Sequence, residues 1–375
     1  MPTGFIKRKV LSRRTQGGFS IVELLIALGL GLLVVSGIVQ LFVGNSRTYE
    51  IVNAQARLQE NARFAFEFIS RPARMAGFFG CAPEMQNIVG HLTGNWANIP
   101  EYNVTERIDG WDSNDDGSWA PDNLTSLPRS EGGVDTNVHI AGNGIDSDTL
   151  QDQSDLLVFR MLRQPFGMLA ATLQPDGEPV VSTPGGTPSF STNDVVVVAD
   201  CEQASVFKVT GVTAGSNEVT LARATAASGN AFDNSDNVRT PTGDIVPATM
   251  SIIGRSYGAE TTVGVIESHF FFIAESSEVN NEGDKVFALW QKVGAQAPRE
   301  LVQGVQDMQI LYGVDTTNNG QIDVDQYLTI DAVGEVNDIV AIQVRLTISS
   351  VDNLVEVGDR LTRTFSKTIH VRNLG

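Results

Sequence analysis

The chain is poor in cysteine, histidine and basic residues, and each shortage argues against a class of function. Its 375 residues include two cysteines and four histidines, which lack the close spacing of a zinc site. Lys and Arg total 26 against 44 Asp and Glu, for a formal net charge of −18. Duplex binding depends on cations that displace counterions from phosphates, so this balance disfavours direct nucleic-acid binding. Hydrophobic residues make up 42% of the chain, enough for one large domain or two small ones.

The N-terminal region lacks the small-residue cleavage site that follows the apolar run of an ordinary secretory signal. The apolar run itself, Phe19 to Val43, is long enough as a helix to cross a hydrocarbon layer of about 30 Å. The residues before it carry no acid and five cations, which are Lys7, Arg8, Lys9, Arg13 and Arg14. By the positive-inside rule, the N-terminus is expected in the cytoplasm and everything after Val43 outside.

Small residues precede the apolar run instead, and Glu23 is the one ionisable residue within it. A carboxylate in a membrane costs about 3 kcal/mol and indicates a functional role with a charge partner. The sequence Gly18-Phe19-Ser20-Ile21-Val22-Glu23-Leu24 resembles the leader junction of type IV pilins and type II secretion pseudopilins. The resemblance implies that a prepilin peptidase cuts after Gly18 and methylates Phe19. It also implies that Glu23 pairs with the free amine of the neighbouring subunit's first residue. A plain single-span anchor with a stray acid is the alternative.

The helix is expected to continue past the membrane. Apolar residues recur at three- and four-residue steps from Ile51 to Ile69, which predicts an amphipathic helix reaching about Ser70, where Pro72 ends or kinks it. Four segments are therefore predicted: a leader (1–18), a transmembrane and assembly helix (19–43), an extracytoplasmic amphipathic helix (44–76) and a β-rich globular domain (77–375).

Beyond Gly77, turn-forming residues separate short apolar runs, and the pattern predicts a mainly β domain. The predicted strands are Leu156–Met161, Val195–Ala199, Val206–Val212, Glu218–Leu221, Val263–Ile273, Val286–Lys292, Val305–Tyr312, Ile339–Ser349 and Thr364–Val371. Residues 84–154 and 223–248 are predicted to be long loops. Trp111, in the first of them, is expected either to pack locally or to form an exposed anchor for a partner.

Three internal segments carry a second resemblance, and they are Arg74-Met75-Ala76-Gly77-Phe78-Phe79-Gly80-Cys81, Ala199 to Phe207, and Glu300 to Asp315. They resemble the PilW family of minor pilins. The resemblance implies an α+β, type IV pilin-like fold, in which a long N-terminal helix packs on a large, mainly antiparallel β domain with long loops. It also implies a subunit that starts in the inner membrane, with its domain in the periplasm, and ends at the pilus tip.

The PilW resemblance also implies which partners the chain has. Family members join other minor pilins in a priming or tip complex, and their further partners are the major pilin, the prepilin peptidase, the inner-membrane assembly platform and, as a candidate, a tip adhesin. A pseudopilin of a type II secretion system is the alternative, because it shares the leader and the scaffold.

Two loops have the alternating oxygen side chains of a calcium site. The first contains Asp112, Asn114 and Asp116, and has Asn123 where the EF-hand pattern requires Glu. The second contains Asp315, Thr317, Asn319 and Asp323. The same residue types also form ordinary turns, so calcium is a candidate ligand only, and the second segment has the alternative of a plain hairpin between Tyr312 and Tyr327. No other cofactor is expected.

An enzyme is the distant alternative. Ser256 lies in a Gly-x-Ser-x-Gly sequence like that of a hydrolase nucleophile elbow, and His269 and His370 are candidate bases. The residues that follow predict a strand, although the elbow requires a helix there.

Cys81 and Cys201 are the two cysteines, and in an exported domain a disulfide between them is the expected state. Two buried thiols are the alternative.

Overall fold

The structure is a computed structural model, and it describes residues 18–80, 88–92, 102–104, 106–114, 119–120, 150–151, 153–174, 177–183, 190–223, 234–239, 256–294, 296–317, 322–354 and 360–372. The chain divides into two compact units, of which the first ends at Asn53 and the second begins at Ala54. The predicted boundaries at residues 18, 43 and 76 stay predictions.

A single helix, α1, runs from Ile21 to Met75. It begins at Ser20, whose hydroxyl oxygen accepts a hydrogen bond from the backbone N–H of Val22 at 3.3 Å, as expected of a helix-capping serine. It ends at Gly77, whose φ of +79° is unfavourable for residues with a side chain. The helix continues five residues past Ser70, to Met75 within the predicted segment 44–76, and it holds Pro72 in its last turn.

The described residues also contain eighteen strands and two short 3₁₀ turns, Ile330–Ala332 and Val336–Asp338. The strands are β1 Ile88–Leu92, β2 Ile108–Ser113, β3 Trp119–Ala120, β4 Leu156–Leu162, β5 Gly167–Leu169, β6 Val180–Ser182, β7 Val195–Ala199, β8 Ala204–Lys208, β9 Gly211–Ala214, β10 Glu218–Ala222, β11 Asn234–Arg239, β12 Thr262–Val279, β13 Lys285–Val293, β14 Arg299–Gln303, β15 Val305–Val314, β16 Gln326–Leu328, β17 Ile339–Ser349 and β18 Thr362–His370.

The strands form two sheets. The larger has the central order β11-β1-β8-β7-β12-β5-β6-β10-β9, and the smaller has the order β16-β15-β17-β18. The long strand β12 organises the larger sheet, because its first residues pair with β7 and β5 while its later residues pair with β4 and β13. Of the described pairs, only β1 with β8 is parallel. The mainly antiparallel α+β fold predicted from the sequence is confirmed.

The second half of α1 packs in the largest hydrophobic core. Leu58, Ala65 and Ile69 lie on its buried face and are at most 1% exposed. The same core contains Phe159 and Phe271 from the larger sheet, together with Ile310 of β15 and Val344 of β17 from the smaller sheet. Burial of this apolar stripe therefore holds the helix against both sheets.

The predicted loops need correction, because both contain strands. Strands β1, β2 and β3 lie within 84–154, and β11 lies within 223–248. Trp111 belongs to β2 and is 5% exposed, so it packs locally. These strands are short and carry polar residues, and β1, β2 and β11 pair with strands distant in sequence, whereas β3 pairs with the neighbouring β2. A periodicity pattern therefore does not reveal them.

Candidate assembly site

The start of α1 holds the residues predicted for processing and assembly. Gly18 and Phe19 precede the helix, and the Phe19 side chain is 86% exposed. Glu23 lies in the first helical turn, three residues after the capping Ser20. This Ser-x-x-Glu spacing is that of a capping box, in which the acid also stabilises the helix start. Glu23 thus has a local structural role available beside the predicted charge pairing.

The apolar part of α1 meets the requirements of a membrane span. Its most apolar 18-residue window has a mean hydropathy of 2.5, and none of that window is buried within the protein. Exposed side chains such as Leu32, Leu33 and Phe42 continue along this segment. A surface of this kind is stable in lipid and unfavourable in water, which supports membrane anchoring.

A groove opens between the second half of α1 and the larger sheet. Its cavity has a volume of about 410 Å³. Phe64 and Phe68, one helical turn apart, are 42% and 39% exposed beside it, and Glu67 and Arg71 are exposed on the same side. The sheet contributes Met161, Leu162, Glu267, His269, Gln291 and Arg299, and Gln164 lines the groove from the segment after β4.

The sheet side of the groove is fixed by a chain of hydrogen bonds. Arg299 donates to the Gln291 side-chain oxygen at 2.7 Å, and the Gln291 amide nitrogen lies 2.9 Å from Nδ1 of His269. Because a guanidinium only donates, the Gln291 amide nitrogen donates to Nδ1, and the Nε2–H of His269 donates to Glu267 at 2.7 Å. Each hydrogen bond along this wall, from Arg299 to Glu267, therefore has a defined donor and a defined acceptor.

His269 and Ser256 have separate partners, which weakens the hydrolase alternative. Ser256 bonds the Gln174 side chain at 3.4 Å, and His269 bonds Glu267 and Gln291. The serine is followed by an isolated bridge at Tyr257 and then by β12, whereas a nucleophile elbow leads into a helix. His370 lies at the end of β18 and is exposed.

The second predicted calcium loop is a hairpin between β15 and β16, with Tyr312 opposite Leu328. Asp315 accepts a hydrogen bond from the backbone N–H of Thr317 at 3.2 Å, and Asp325 accepts one from Thr316 at 2.7 Å. The backbone N–H and the hydroxyl of Thr316 both donate to Asp325, and these hydrogen bonds lower the pKa of its carboxyl. Asp323 is described, and Asn319 lies outside the described residues. The hairpin alternative agrees with this geometry.

The first predicted calcium loop begins inside a strand. Asp112 is part of β2, and Asn114 follows it, while Asp116 lies outside the described residues. Within the described part of the chain, no group of three or more His, Cys, Asp or Glu residues is arranged to hold a metal ion. Calcium binding stays a prediction for both loops.

The predicted disulfide falls partly outside the described residues. Cys201 is disulfide-bonded and lies just after β7. Cys81 is outside the described ranges, so its pairing with Cys201 stays a prediction.

Two carboxyl groups with raised pKa values, the buried Asp155 and the partly exposed Glu106, are not recognisable from the sequence. Burial raises the pKa of the Asp155 carboxyl to about 7, although hydrogen bonds from Ser113 and Ile310 oppose the rise. Asp155 is 2.9 Å from the Ser113 nitrogen and 2.7 Å from the Ile310 nitrogen, so it joins β2 of the larger sheet to β15 of the smaller one. Burial and the nearby Asp109 likewise raise the pKa of Glu106 to about 7. A sequence gives no signal for such groups, since their burial depends on tertiary packing.

Part of the chain matches a known protein family. Residues 271–373, from the second half of β12 through β18, match the family model PilW, described as type IV pilus-assembly protein W. The match supports the PilW family predicted from the sequence. It also supports a role in type IV pilus assembly, and PilW is not a known enzyme family. Together with the apolar α1 it indicates partners in the membrane and the pilus system. No curated protein and no solved structure matches the chain.

The PilW match extends over the whole smaller sheet and over β13 and β14. It includes the quoted stretch Glu300 to Asp315. The other two quoted stretches, Arg74 to Cys81 and Ala199 to Phe207, lie before it and stay predictions.

Proposed function

We propose that the chain is a minor pilin that joins other minor pilins in a priming or tip complex for type IV pilus assembly. The PilW match over 271–373 carries this proposal, because it occurs in a chain whose N-terminal helix is apolar and has Glu23 in its first turn. The size of the second unit, residues 54–375, favours a minor subunit over the abundant one that must pack densely along a filament.

The proposal includes the path of the protein. The leader, residues 1–18, is removed by prepilin peptidase and Phe19 is methylated. The helix then holds the subunit in the inner membrane with its N-terminus in the cytoplasm and its domain in the periplasm. Assembly moves it to the pilus tip with the other minor pilins, above the major pilin and in contact with the assembly platform. A tip adhesin is a candidate partner.

The experiment is mass spectrometry of sheared surface filaments from cells with and without prepilin peptidase. We expect peptides that begin at methylated Phe19 in the filament fraction of cells that have the peptidase. An uncleaved form that begins at Met1 and stays in the membrane fraction of both strains would overturn the proposal. A mature form that copurifies with a type II secretion complex and is absent from filaments would identify the pseudopilin alternative.

A further inference from the structure

Strand β18 has one open edge within the described part of the chain. It pairs with β17 alone, and its nine residues make it the longest of the described strands that have a single partner. The register of this pair continues without a bulge, from Ser349 opposite Thr362 to Ala341 opposite His370. The strand also contains no proline and no glycine. Proteins commonly interrupt a long edge in these ways, because an open edge recruits another strand.

The hydrogen bonds to β17 show which backbone groups lie on this edge. At one end of β18 the Val371 N–H donates to the Val340 oxygen at 3.0 Å, and at the other end the Leu361 oxygen accepts from the Ser350 N–H at 2.8 Å. Successive residues of an antiparallel strand alternate in direction, so the odd-numbered residues bond β17. The N–H and carbonyl groups of the even-numbered residues are directed away from it. These residues, all with exposed side chains, are Thr362, Thr364, Ser366, Thr368 and His370.

The edge is basic although the protein is acidic. Residues 360–372 contain four Lys and Arg and no acid, whereas the whole chain has a formal net charge of −18. Arg363 and Lys367 lie on the odd-numbered side of β18, and neither has an ion pair with a described residue. Phe365 lies between them and packs, partly buried, against the main core. We call these three side chains, together with the outward backbone groups, the β18 edge.

The order cation, aromatic ring, cation limits which strand can pair there. An added antiparallel strand bonds the even-numbered residues, so the odd-numbered residues form the closer, non-hydrogen-bonded pairs, with Cα atoms about 4.5 Å apart. Acidic side chains opposite Arg363 and Lys367 are favourable at this distance, and like charges are unfavourable. A second copy of β18 is therefore disfavoured, because it brings the cations of both copies to one edge.

We propose that the β18 edge binds an extended segment of another protein, which adds to the smaller sheet as an antiparallel strand. The segment has two acidic residues four positions apart, which face Lys367 and Arg363, and an apolar residue midway, which faces Phe365. Hydrogen bonds to the even-numbered residues supply affinity, and the three side-chain contacts supply specificity. This inference goes beyond the proposed function, which assigns no role to the smaller sheet.

The test is site-specific photocrosslinking in cells that produce the full-length chain. The chain carries p-benzoylphenylalanine in place of Thr368, and in a control in place of Thr213 on β9, an exposed strand that also has a single partner but carries no cation. Mass spectrometry identifies the crosslinked peptide. We expect Thr368 to capture a segment with two acids four positions apart, and Thr213 not to capture it. Capture of no protein, of the same chain, of a segment without these acids, of lipid or of nucleic acid overturns the proposal.

Substitution of Ser366 tests whether the partner binds as a strand. Ser366→Pro removes one outward N–H and leaves the bonds between the odd-numbered residues and β17 in place, as is tolerated on an edge strand. It should lower the Thr368 crosslink yield by about tenfold, because the partner loses a hydrogen bond and meets the proline ring. The matched control Ser366→Ala removes the hydroxyl, keeps the N–H and should leave the yield unchanged. Equal yields for the two variants would contradict strand addition.

A double substitution, R363E with K367E, tests the charges. It turns two opposite-charge contacts into like-charge contacts and should lower the Thr368 crosslink yield by about tenfold. The control R363K with K367R keeps both charges and should leave the yield unchanged. Replacement of the two acids of the captured segment by lysine should restore the yield of the double variant. An unchanged yield in R363E with K367E rules out the pairing. Circular dichroism of each purified variant confirms that it folds before the yields are compared.

Discussion

At the scale of single residues, the start of α1 supports two different roles for Glu23. Its position in the first turn, three residues after Ser20, suits the acid of a capping box, and the predicted role is that of a membrane carboxylate whose charge pairs with a neighbour's amine. Glutamine performs the first role nearly as well as glutamate, because its side-chain oxygen also accepts a hydrogen bond. It cannot perform the second. The two roles can therefore be separated by one conservative substitution.

We expect Glu23→Gln to abolish incorporation of the chain into filaments as fully as Glu23→Ala does, because both remove the charge. Immunoblots of sheared filaments and of membranes provide the measurement, with equal membrane levels as the control. Normal incorporation of Glu23→Gln beside failure of Glu23→Ala would mean that helix capping is the role of this residue.

The predicted disulfide of Cys201 is a second feature that depends on single residues. Its predicted bridge to Cys81 would close a loop of more than a hundred residues, which in the chain-entropy model stabilises the domain by about 5 kcal/mol. We expect Cys201→Ser to lower the level of folded protein in the periplasm, as measured by protease resistance of spheroplasts. Alkylation of wild-type protein before reduction supplies the control, since a bridged protein takes up no reagent. Two alkylated thiols in the wild type would disprove the bridge.

At the scale of elements, the link between β14 and β15 is the tightest described turn. Gly304 joins a strand of the larger sheet to one of the smaller, and its φ is +84°. A Cβ at this position would lie 2.4 Å from the backbone oxygen of Ser349, which cannot move without disturbing β17. Gly283 has a similar φ of +89° and open space around it, and Gly334 has open space without positive φ. Alanine substitutions at these three glycines therefore distinguish the cost of backbone strain from the cost of a steric clash.

We expect Gly334→Ala to leave the free energy of unfolding nearly unchanged and Gly283→Ala to lower it by about 1 kcal/mol. Gly304→Ala should lower it clearly more, because this substitution adds a clash with the backbone to the strain. Thermal unfolding of the detergent-solubilised variants, followed by circular dichroism, gives the order of stability. Equal melting temperatures for Gly304→Ala and Gly283→Ala would show that Ser349 relaxes freely.

Elements differ in how far the sequence predicts them. β7 coincides with its prediction because Val195 to Ala199 is a continuous apolar run bounded by polar residues. The predicted strand Val206–Val212 is instead two strands, β8 and β9, interrupted at Val209 and Thr210. Both residues donate backbone hydrogen bonds to other segments, Val209 to Asp194 and Thr210 to Ala222. Such a break depends on partners brought close by folding, and apolar periodicity does not encode it.

At the scale of the whole molecule, the two sheets are joined through a buried acid. Asp155 lies between Ser113 and Ile310, and its carboxyl has a pKa of about 7 through burial, against 3.8 ordinarily. A carboxyl with a raised pKa binds more protons in the folded state than in the unfolded state. Its contribution is therefore fully present below about pH 4 and is lost as the pH rises through about 7. Glu106 acts in the same direction.

We expect the melting temperature of the domain to fall by a few degrees between pH 5 and pH 8, and to fall less in Asp155→Asn, which does not titrate. Because both proteins contain the same other titrating groups, the difference between their slopes of melting temperature against pH reports on Asp155. Parallel pH profiles for the two proteins would show that Asp155 does not change its protonation on unfolding. The variant is also expected to be less stable at low pH, because an amide group replaces one of the two accepting oxygens.

The candidate site combines features that the sequence predicts and features that it does not. Gly18, Phe19 and Glu23 are predicted from the resemblance of residues 18–24 to a pilin leader junction, and Arg57, Glu60, Arg63 and Glu67 are already recognisable as a polar side of a helix. The opposite wall of the groove is not recognisable from the sequence, because Glu267, Gln291 and Arg299 come from three strands that meet only in the folded sheet.

The end of α1 also determines how the domain bears mechanical load. The backbone N–H of Gly77 bonds the carbonyl oxygen of Arg160 at 2.9 Å, and Phe78 accepts a bond from Leu162 at 2.9 Å, so the chain leaving the helix is tied to β4. β4 pairs on both sides, with β2 and β12, and the buried Arg160 bonds Asp109 at 2.9 Å. A pull along α1 therefore reaches an interior strand before any edge strand. An interior strand is pulled out only if the hydrogen-bond ladders on both of its sides break, whereas an edge strand has such a ladder on one side only.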